Sequence, residues 1–178
     1  MAIRKVAHLG HPVLRRVAEA VPPEAILAPE IQQLVDDMLE TMDEYDGAGL
    51  AAPQVHVSKR LVVYGVDANP RYPDAESVPL TVLVNPVLTP LTEEIEDDWE
   101  GCLSLPDLRG RVPRPTRVRV EAYDRDGRRL RFDADEFHAR VVQHECDHLD
   151  GVVYVDRMAS METLTFLPEF QRHWLDRI

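Results

Sequence analysis

The predicted fold is organised around Gln143-His144-Glu145-Cys146-Asp147-His148-Leu149, a stretch that combines a helical pattern with two metal-ligating side chains. Residues four apart on an α-helix lie roughly 40° apart around its axis, so His144 and His148 share one face. Two imidazoles in this arrangement can hold one metal ion, and the adjacent Glu145 can take a proton from water. The stretch predicts a metal-dependent hydrolytic site, with a helix bearing two surface histidines as the simpler alternative.

The helix that carries this motif is predicted over about residues 135–149, with Gly151 at its C-terminal end. Phe137 and Val141 precede the two histidines at helical spacing, so the histidine face continues an apolar face. A buried histidine pair needs a partner, which a metal ion supplies. Two polar neighbours on the helix are candidates for orienting the rings: Gln143 and Asp147.

A catalytic metal site needs a third protein ligand and one position left open for water. Glu162 or Glu169 downstream would complete a zincin-like protease site. Cys146 lies on the other side of the helix from the histidines, and we interpret it as a small buried apolar side chain. Cys102, within Glu100-Gly101-Cys102-Leu103-Ser104, is the remaining candidate. The residues themselves leave these choices open.

The rest of the chain indicates further helices and several short strands. Apolar residues at helical spacing over 31–42 predict a helix that Pro29 begins and Gly47 ends. β-branched or alternating segments predict strands at 60–66, 80–85 (closed by Pro86), 117–123 and 128–132. A helical region is expected after Ser160, interrupted or restarted at Pro168.

Strands without regular βαβ alternation argue for an α+β fold. We expect mixed or antiparallel strands packed around a central metal-binding helix, with an N-terminal helix and a C-terminal helical region. The 178 residues favour a single catalytic domain over 1–178.

Composition narrows the classes of partner. The formal net charge of −12 argues against binding to DNA or to an anionic membrane. We find no apolar stretch that could span a bilayer and no secretion signal, so a cytoplasmic location is expected. Two cysteines cannot build a disulfide framework, and a free thiol can bind a metal.

Two charged segments stand out. The acidic run 93–100 is interpreted as a solvated loop or an edge. Residues 109–131 hold nine arginines and three acidic residues, which fits a hairpin with a charged polar face. A transient contact of this arginine-rich segment with ribosomal RNA is the alternative, although aromatic residues for base stacking are not interleaved there.

Three segments together resemble the peptide deformylase family, in its order and at suitable separations: Gly47-Ala48-Gly49-Leu50-Ala51-Ala52-Pro53-Gln54, Glu100-Gly101-Cys102-Leu103-Ser104 and Gln143-His144-Glu145-Cys146-Asp147-His148-Leu149. The opening His11-Pro12-Val13-Leu14-Arg15 is also similar. The resemblance implies a metal-dependent hydrolase that removes the N-formyl group from the formylmethionine of new polypeptides and releases formate.

The resemblance also implies roles for particular residues. Cys102, His144 and His148 would be the metal ligands, and Glu145 would be the general base and then the acid. The Gln54 side-chain amide and the Leu103 backbone N–H would form the oxyanion hole, and Gly49 would bind the substrate backbone. Further substrate contacts are expected from Ala48, Arg109, Phe137, Arg140 and Val141.

Three positions depart from the usual pattern of the family that the chain resembles. Ala48 stands where a branched aliphatic residue is usual, His56 where glycine is frequent, and Arg140 where some relatives carry an aliphatic residue. These departures leave the chemistry intact but alter the expected size and polarity of the pocket for the substrate's first side chain.

One thiolate and two imidazoles suit several divalent ions. The resemblance implies Fe²⁺ in the cell, with Zn²⁺, Ni²⁺ or Co²⁺ in purified protein, and formylmethionyl nascent peptides as partners. Two other hypotheses remain. One is a zincin-type metallopeptidase with Glu162 or Glu169 as its third metal ligand, and the other is a binding module with a structural zinc that has Cys146 as its fourth ligand.

Overall fold

The structure is a computed structural model that describes residues 2–67 and 77–175. Within those residues the strands form a five-stranded sheet of order β1-β2-β3-β6-β7 and a three-stranded sheet of order β4-β5-β8. All strand pairs are antiparallel. The elements are α1 (Pro29–Glu44), β1 (Gly49–Ala51), β2 (Leu61–Val66), β3 (Val78–Pro90), β4 (Ile95–Cys102), β5 (Leu105–Pro115), β6 (Arg117–Tyr123), β7 (Arg129–Asp135), α2 (Glu136–Leu149), β8 (Thr165–Phe166) and α3 (Leu167–His173).

The five-stranded sheet lies between two helices, and strand β2 shows why. Side chains alternate across a strand, so Leu61 and Val63 lie in one cluster with α1, whereas Val62 and Tyr64 lie in another with α2. All four side chains are fully buried. Helix α2, which carries the two histidines, therefore packs against one face of the five-stranded sheet. This arrangement confirms the predicted α+β fold.

Helix α1 begins at Pro29 as expected and ends at Glu44. Two features end the helix. Asp46 adopts the left-handed conformation (φ 50°), and the Gly47 N–H donates a hydrogen bond to the Met42 carbonyl at 2.8 Å. The prediction that Gly47 ends the helix is correct in position, but the left-handed residue is Asp46.

The strand predicted over 80–85 does not end at Pro86. Strand β3 continues to Pro90, and its register with β6 shifts between Val84 and Val87. Asn85 has a φ of 54°, so the chain bulges at this point. A bulge accommodates a proline, which has no N–H for the ladder, and the strand resumes beyond it.

The acidic run lies mostly on strand β4, at the edge of the three-stranded sheet. The edge interpretation is correct and the loop interpretation is not. The arginine-rich segment is also more than one hairpin, because it spans β5, β6 and β7. Arg114 on β5 is buried, whereas Arg119 on β6 pairs across the strand with Asp133 at 2.8 Å.

Helix α2 covers the predicted range to within one residue, and Gly151 follows it with a φ of 72°. A Cβ at Gly151 would lie 2.8 Å from the carbonyl carbon of Arg15, so glycine is required there for space as well as for conformation. The C-terminal helical region is present as a short 3₁₀ turn, Met161–Thr163, and helix α3. Within the described residues, no helix combines the length and the apolar character needed to cross a membrane.

Candidate active site

Cys102, His144 and His148 meet in the interior, although the thiol and the rings come from different parts of the chain. Cys102 ends strand β4, where the chain turns into β5, and this turn presents its sulfur to the histidine face of α2. One ligand atom from each residue lies within 4.8 Å of the others, and all three side chains are buried. The metal-binding triad is therefore present, with Cys102 as its third member.

The spacing within the triad fits a tetrahedral ion. The Cys102 Sγ lies 3.3 Å from the His148 Nε2. Bond lengths of about 2.3 Å to sulfur and 2.1 Å to nitrogen put two such ligands roughly 3.5 Å apart in a tetrahedral site. Three protein ligands leave the fourth position for water or substrate, which is the pattern of a catalytic site.

Glu100 orients the first histidine. Its Oε2 lies 2.8 Å from the His144 Nδ1, which leaves the Nε2 of that ring for an ion. The same carboxylate accepts hydrogen bonds from Arg114 Nε at 2.5 Å and from Arg140 Nη1 at 3.0 Å. Glu100 and Cys102 are two residues apart on β4 and both are buried, although the register of β4 with β5 shifts between them.

The predicted orienting residues have other partners. Gln143 donates to the carbonyls of Pro115 and Ala139. Asp147 accepts from Arg114 at 2.9 Å and from Arg157 at 2.7 Å. Neither side chain bonds to the imidazoles, because both point away from the histidine face, so this part of the prediction was wrong.

Charge at the centre follows from burial and from close partners of opposite sign. Burial raises the pKa of the Glu100 carboxyl, but hydrogen bonds from Arg114 and His144 outweigh it and hold the pKa well below its usual range. Burial also opposes ionisation of Cys102, and the neighbouring His148 and His144 outweigh it, so the thiol pKa is lowered. The sulfur is therefore suited to bind a metal as a thiolate.

Glu145 lies beside the triad and is buried, and this burial raises the pKa of its carboxyl to about 7. Among the described residues its Oε2 has no hydrogen-bond partner. Gly49 on β1 makes room for it, since a Cβ there would lie 2.6 Å from the Glu145 Cδ. A carboxyl group with a pKa near neutrality can both accept and return a proton.

Gln54 brings an amide donor to the same place. Its Oε1 accepts from the Ala51 N–H at 2.8 Å, which fixes the direction of the amide. Its Nε2 lies 3.4 Å from the Cys102 Sγ and 3.1 Å from the Ser104 Oγ. Sequence reasoning did not single out Ser104, which is fully buried and helps to hold this donor.

A cleft opens onto the triad. It is lined by Ala48, Gly49, Gln54, Trp99, Glu100, Gly101, Cys102, Leu103, Phe137, Arg140, Val141, His144 and Glu145. Most residues expected to contact the substrate are on this lining, and Trp99 is an addition that the sequence analysis did not propose. Arg109 is not on it, because its side chain is buried beneath Gly101, where a Cβ would lie 2.5 Å from the Arg109 Cζ.

The rival ligands are elsewhere. Glu162 is exposed on the 3₁₀ turn Met161–Thr163. Glu169 forms surface ion pairs with Arg172 at 3.1 Å and His173 at 3.3 Å. Cys146 is packed in the apolar cluster between α2 and the sheet, and burial raises its thiol pKa. Within residues 2–67 and 77–175, the only group arranged to hold a metal is the triad with Cys102. The position of Cys102 beside the two histidines therefore supports neither the zincin hypothesis nor the structural-zinc hypothesis.

Comparison with known proteins agrees with the geometry. The sequence profile of the family described as Polypeptide deformylase matches residues 3–164. The chain is 54% identical over 159 residues to peptide deformylase 1 of Nitrosomonas europaea, covering 89% of each protein. It is 48% identical over 178 residues to peptide deformylase 2 of Ralstonia nicotianae, covering 98% of this chain and 99% of that protein.

A solved structure shows the same fold. The class I type b peptide deformylase of Acinetobacter baumannii with bound Met-Ala-Ser superposes with a TM-score of 0.85 at 39% identity, covering 88% of this chain and 99% of that one. The chain belongs to the peptide deformylase family, the metal-dependent hydrolases that remove the N-formyl group from nascent peptides.

Proposed function

We propose that Cys102, His144 and His148 hold one divalent ion and that Glu145 works beside it as general base and then as general acid. The observation that carries this assignment is the convergence of three buried ligand atoms within 4.8 Å next to the buried carboxyl group of Glu145. An ion held there would supply a Lewis acid that polarises the formyl carbonyl and makes water more acidic.

The protein's own groups then account for the proton movements. The Glu145 carboxylate accepts a proton from the attacking water as the water oxygen bonds to the formyl carbon. The formyl C–N bond breaks as the same carboxyl group delivers that proton to the amine nitrogen, so formate leaves and the peptide keeps a free N-terminus. The raised pKa of Glu145 suits it to both transfers.

Negative charge on the formyl oxygen needs donors that are already in place. The Gln54 Nε2 is aimed at the triad by the bond between its Oε1 and the Ala51 N–H. Leu103, directly after Cys102, lines the cleft and offers its backbone N–H. We assign these two donors to the oxyanion, because preorganised donors stabilise a charge that appears only during the reaction.

The substrate's remaining contacts follow the cleft. Gly49 on β1 lies at an edge of the five-stranded sheet and lines the cleft, so its backbone is available to an extended peptide. Ala48, Phe137, Arg140 and Val141 would surround the first side chain. Arg109 would act through Gly101 rather than by touching the peptide.

The ion proposed for the cell is Fe²⁺, with Zn²⁺, Ni²⁺ or Co²⁺ as replacements after purification. One thiolate with two imidazoles accepts all four ions, so the order of affinities alone does not choose among them. Metal analysis of anaerobically prepared protein tests this choice. Rapid loss of activity in air would support iron beside the Cys102 thiolate, and full stability in air would contradict it.

Because its substrates would be newly made formylmethionyl peptides, we propose that the protein works in the cytoplasm. We also propose that residues 1–178 form one catalytic domain. A transient ribosome contact would involve the arginine-rich segment, in which some arginines are already paired within the protein. Arg119 pairs with Asp133, and Arg128 with Asp126, within the β6–β7 hairpin. Salt-dependent sedimentation with ribosomes tests the contact.

The direct test of the function is release of formate from formyl-Met-Ala-Ser by anaerobically prepared, iron-loaded protein. The zincin alternative predicts cleavage of an internal bond in an unformylated peptide instead. Formate release without internal cleavage supports the assignment, and the opposite result overturns it.

A further inference from the structure

Arg140 lies on α2, one turn before His144, and its guanidinium is buried beside Glu100. Its Nη1 donates to the Glu100 Oε1 at 3.0 Å and to the Val112 carbonyl at 2.8 Å. Its Nη2 donates to the Glu96 carbonyl at 2.9 Å. Only 5% of the side chain is exposed. Acceptors on β4 and β5 thus hold a positive charge at a fixed place next to the metal-binding helix.

Glu100 is already held by another arginine. Arg114 donates its Nε to the Glu100 Oε1 and its Nη2 to the Oε2, so both carboxylate oxygens are fixed by one guanidinium. The Oε2 in turn lies 2.8 Å from the His144 Nδ1. Arg114 and Glu100 are therefore sufficient to orient the ring. Arg140 adds a second buried positive charge that this orientation does not require.

The extra charge is close to the place where an ion would bind. Two hydrogen bonds, of 3.0 and 2.8 Å, connect the Arg140 guanidinium through Glu100 to the His144 ring, whose Nε2 is left for the ion. Water screens charges poorly in a buried site, so they interact more strongly there than at the surface. A positive charge in this position opposes the binding of a divalent cation.

The hydrogen bond to Glu100 acts in the same direction. A carboxylate that accepts from an imidazole N–H raises the basicity of that ring as a metal ligand. The Glu100 carboxylate is shared between two guanidiniums, so it draws less on the His144 N–H. The ring then donates less electron density to the ion, and the ion keeps more of its positive charge.

We propose that Arg140 is a positioning residue that acts through Glu100 and His144, weakening the hold of the triad on its ion and making the ion a stronger electrophile. This inference rests on the proposed function and deepens it. It assigns Arg140 a role that requires no contact with the substrate. The charge matters in this role and the shape of the side chain does not, so variants that keep or remove the charge should differ in metal affinity.

The experiment measures Co²⁺ affinity of anaerobically prepared protein by competition with a chelator. Arg140→Met removes the charge from a side chain of similar length, and Arg140→Gln is a second neutral variant in case methionine is not accommodated. Arg140→Lys keeps the charge. Arg157→Met is the matched control, because Arg157 is half-exposed and pairs with Asp147 instead of Glu100.

The two neutral variants should bind Co²⁺ about fivefold or more tightly than the parent, as expected for one charge removed roughly 10 Å from a divalent ion. Arg140→Lys and Arg157→Met should stay within about twofold of the parent. In Co²⁺-saturated protein, kcat for formyl-Met-Ala-Ser should fall in the neutral variants, and the cobalt–thiolate absorption should be unchanged. A merely structural role predicts weaker binding in all three Arg140 variants, because lost packing loosens the site.

Unchanged or weaker Co²⁺ binding in the neutral variants would overturn the inference, as would equal tightening in Arg157→Met. Tighter binding with an unchanged kcat would overturn the claim that Arg140 makes the ion a stronger electrophile. The proposed function fails in a different way. In that case the parent releases no formate from formyl-Met-Ala-Ser, or Cys102→Ala keeps the parent's affinity for Co²⁺.

Discussion

The Glu100 Oε2 lies 2.8 Å from the His144 Nδ1, and through this contact strand β4 orients a ring carried by helix α2. The same strand also delivers Cys102, two residues later, to that ring's metal-binding side. One carboxylate thus links the two halves of the site, and it also accepts from Arg114 and Arg140. Groups that orient a metal-binding imidazole contribute to affinity although they do not touch the ion.

Glu100→Gln should weaken metal binding by about 10- to 100-fold, because the His144 ring loses its anionic partner. Competition with a chelator measures the change directly. Glu96→Gln is the control, since that carboxylate is half-exposed and contacts only the outer edge of Arg140. Equal metal affinity in Glu100→Gln and the parent would show that the ring is oriented by something else.

Glu145→Gln should keep the ion but lower kcat by roughly 10²–10⁴, the usual contribution of a general base. The amide side chain has nearly the same shape as the carboxyl group, so the three metal ligands of the triad should stay in place. Formate release and metal content, measured on the same preparation, separate the two effects. Near-normal turnover with formyl-Met-Ala-Ser would remove Glu145 from the proton-transfer role.

Gly49→Ala should lower kcat/KM by roughly 10²-fold, because the new methyl group displaces the Glu145 carboxyl and a shift of about 1 Å can have that effect. Gly47→Ala is the control in the same loop. Its Cβ would lie 3.1 Å from the Leu103 Cδ1 and 3.3 Å from the Met42 Cγ and the Gly49 carbonyl oxygen, so small shifts accommodate it without contact with Glu145. Similar losses in both variants would mean that the loop, rather than Glu145, is disturbed.

Short-range spacing in the sequence was enough to predict one part of the candidate site, the histidine pair on α2. Four-residue spacing placed His144 and His148 on one helix face, and the same spacing put Cys146 away from it. The choice of Cys102 as third ligand came from family resemblance, since no local rule relates a β-turn to a helix 42 residues further along the chain. The structure supplies the reason: β4 and α2 share Glu100.

What sequence reasoning missed depends on long-range contacts. Asp147 appeared suited to orient an imidazole, but it bonds Arg114 and Arg157, whose approach depends on how β5 packs on α2. Strand β4 was obscured by its acidic composition, which is acceptable at an exposed edge. His56 was noted as a departure from glycine, and its φ of 66° explains why glycine suits that position.

Asp37 on α1 ties down the N-terminal segment, because its carboxylate accepts from the Ala2 N–H at 2.9 Å and from Arg4 Nε at 3.0 Å. Burial opposes its ionisation, but hydrogen bonds from Gln33 and Arg4 outweigh burial and lower its pKa. The stabilisation is therefore complete above the unfolded-state value of 3.8 and is lost as the pH falls through the lower folded-state value.

Asp37→Asn should consequently reduce the free energy of unfolding by about 1–3 kcal/mol at pH 7, with the difference from the parent shrinking below about pH 4. Urea denaturation of both proteins at pH 7, 5 and 3 tests this. Acid-induced loss of the metal affects both proteins alike, so it cancels in the difference. A gap that stays constant from pH 7 to pH 3 would contradict the assignment of the ionised form.

The C-terminal helix is expected to tune substrate binding through Trp99, which lines the cleft. The Trp99 ring packs edge-on against Phe170 of α3 at a centroid distance of 4.9 Å and against Trp174 at 5.4 Å. Aromatic pairs of this kind restrict one another's orientation. Removing Phe170 should therefore let Trp99 move while leaving the triad and Glu145 in place.

Phe170→Ala should raise KM for formyl-Met-Ala-Ser several-fold and change kcat little, because the lost support affects a wall of the cleft and not the reacting groups. The chain has two tryptophans and both belong to this cluster, so a red shift of intrinsic fluorescence should accompany the change. Phe166→Ala is the control, since that ring is largely exposed. A fall in kcat at constant KM would mean that α3 acts on the metal centre instead of the cleft wall.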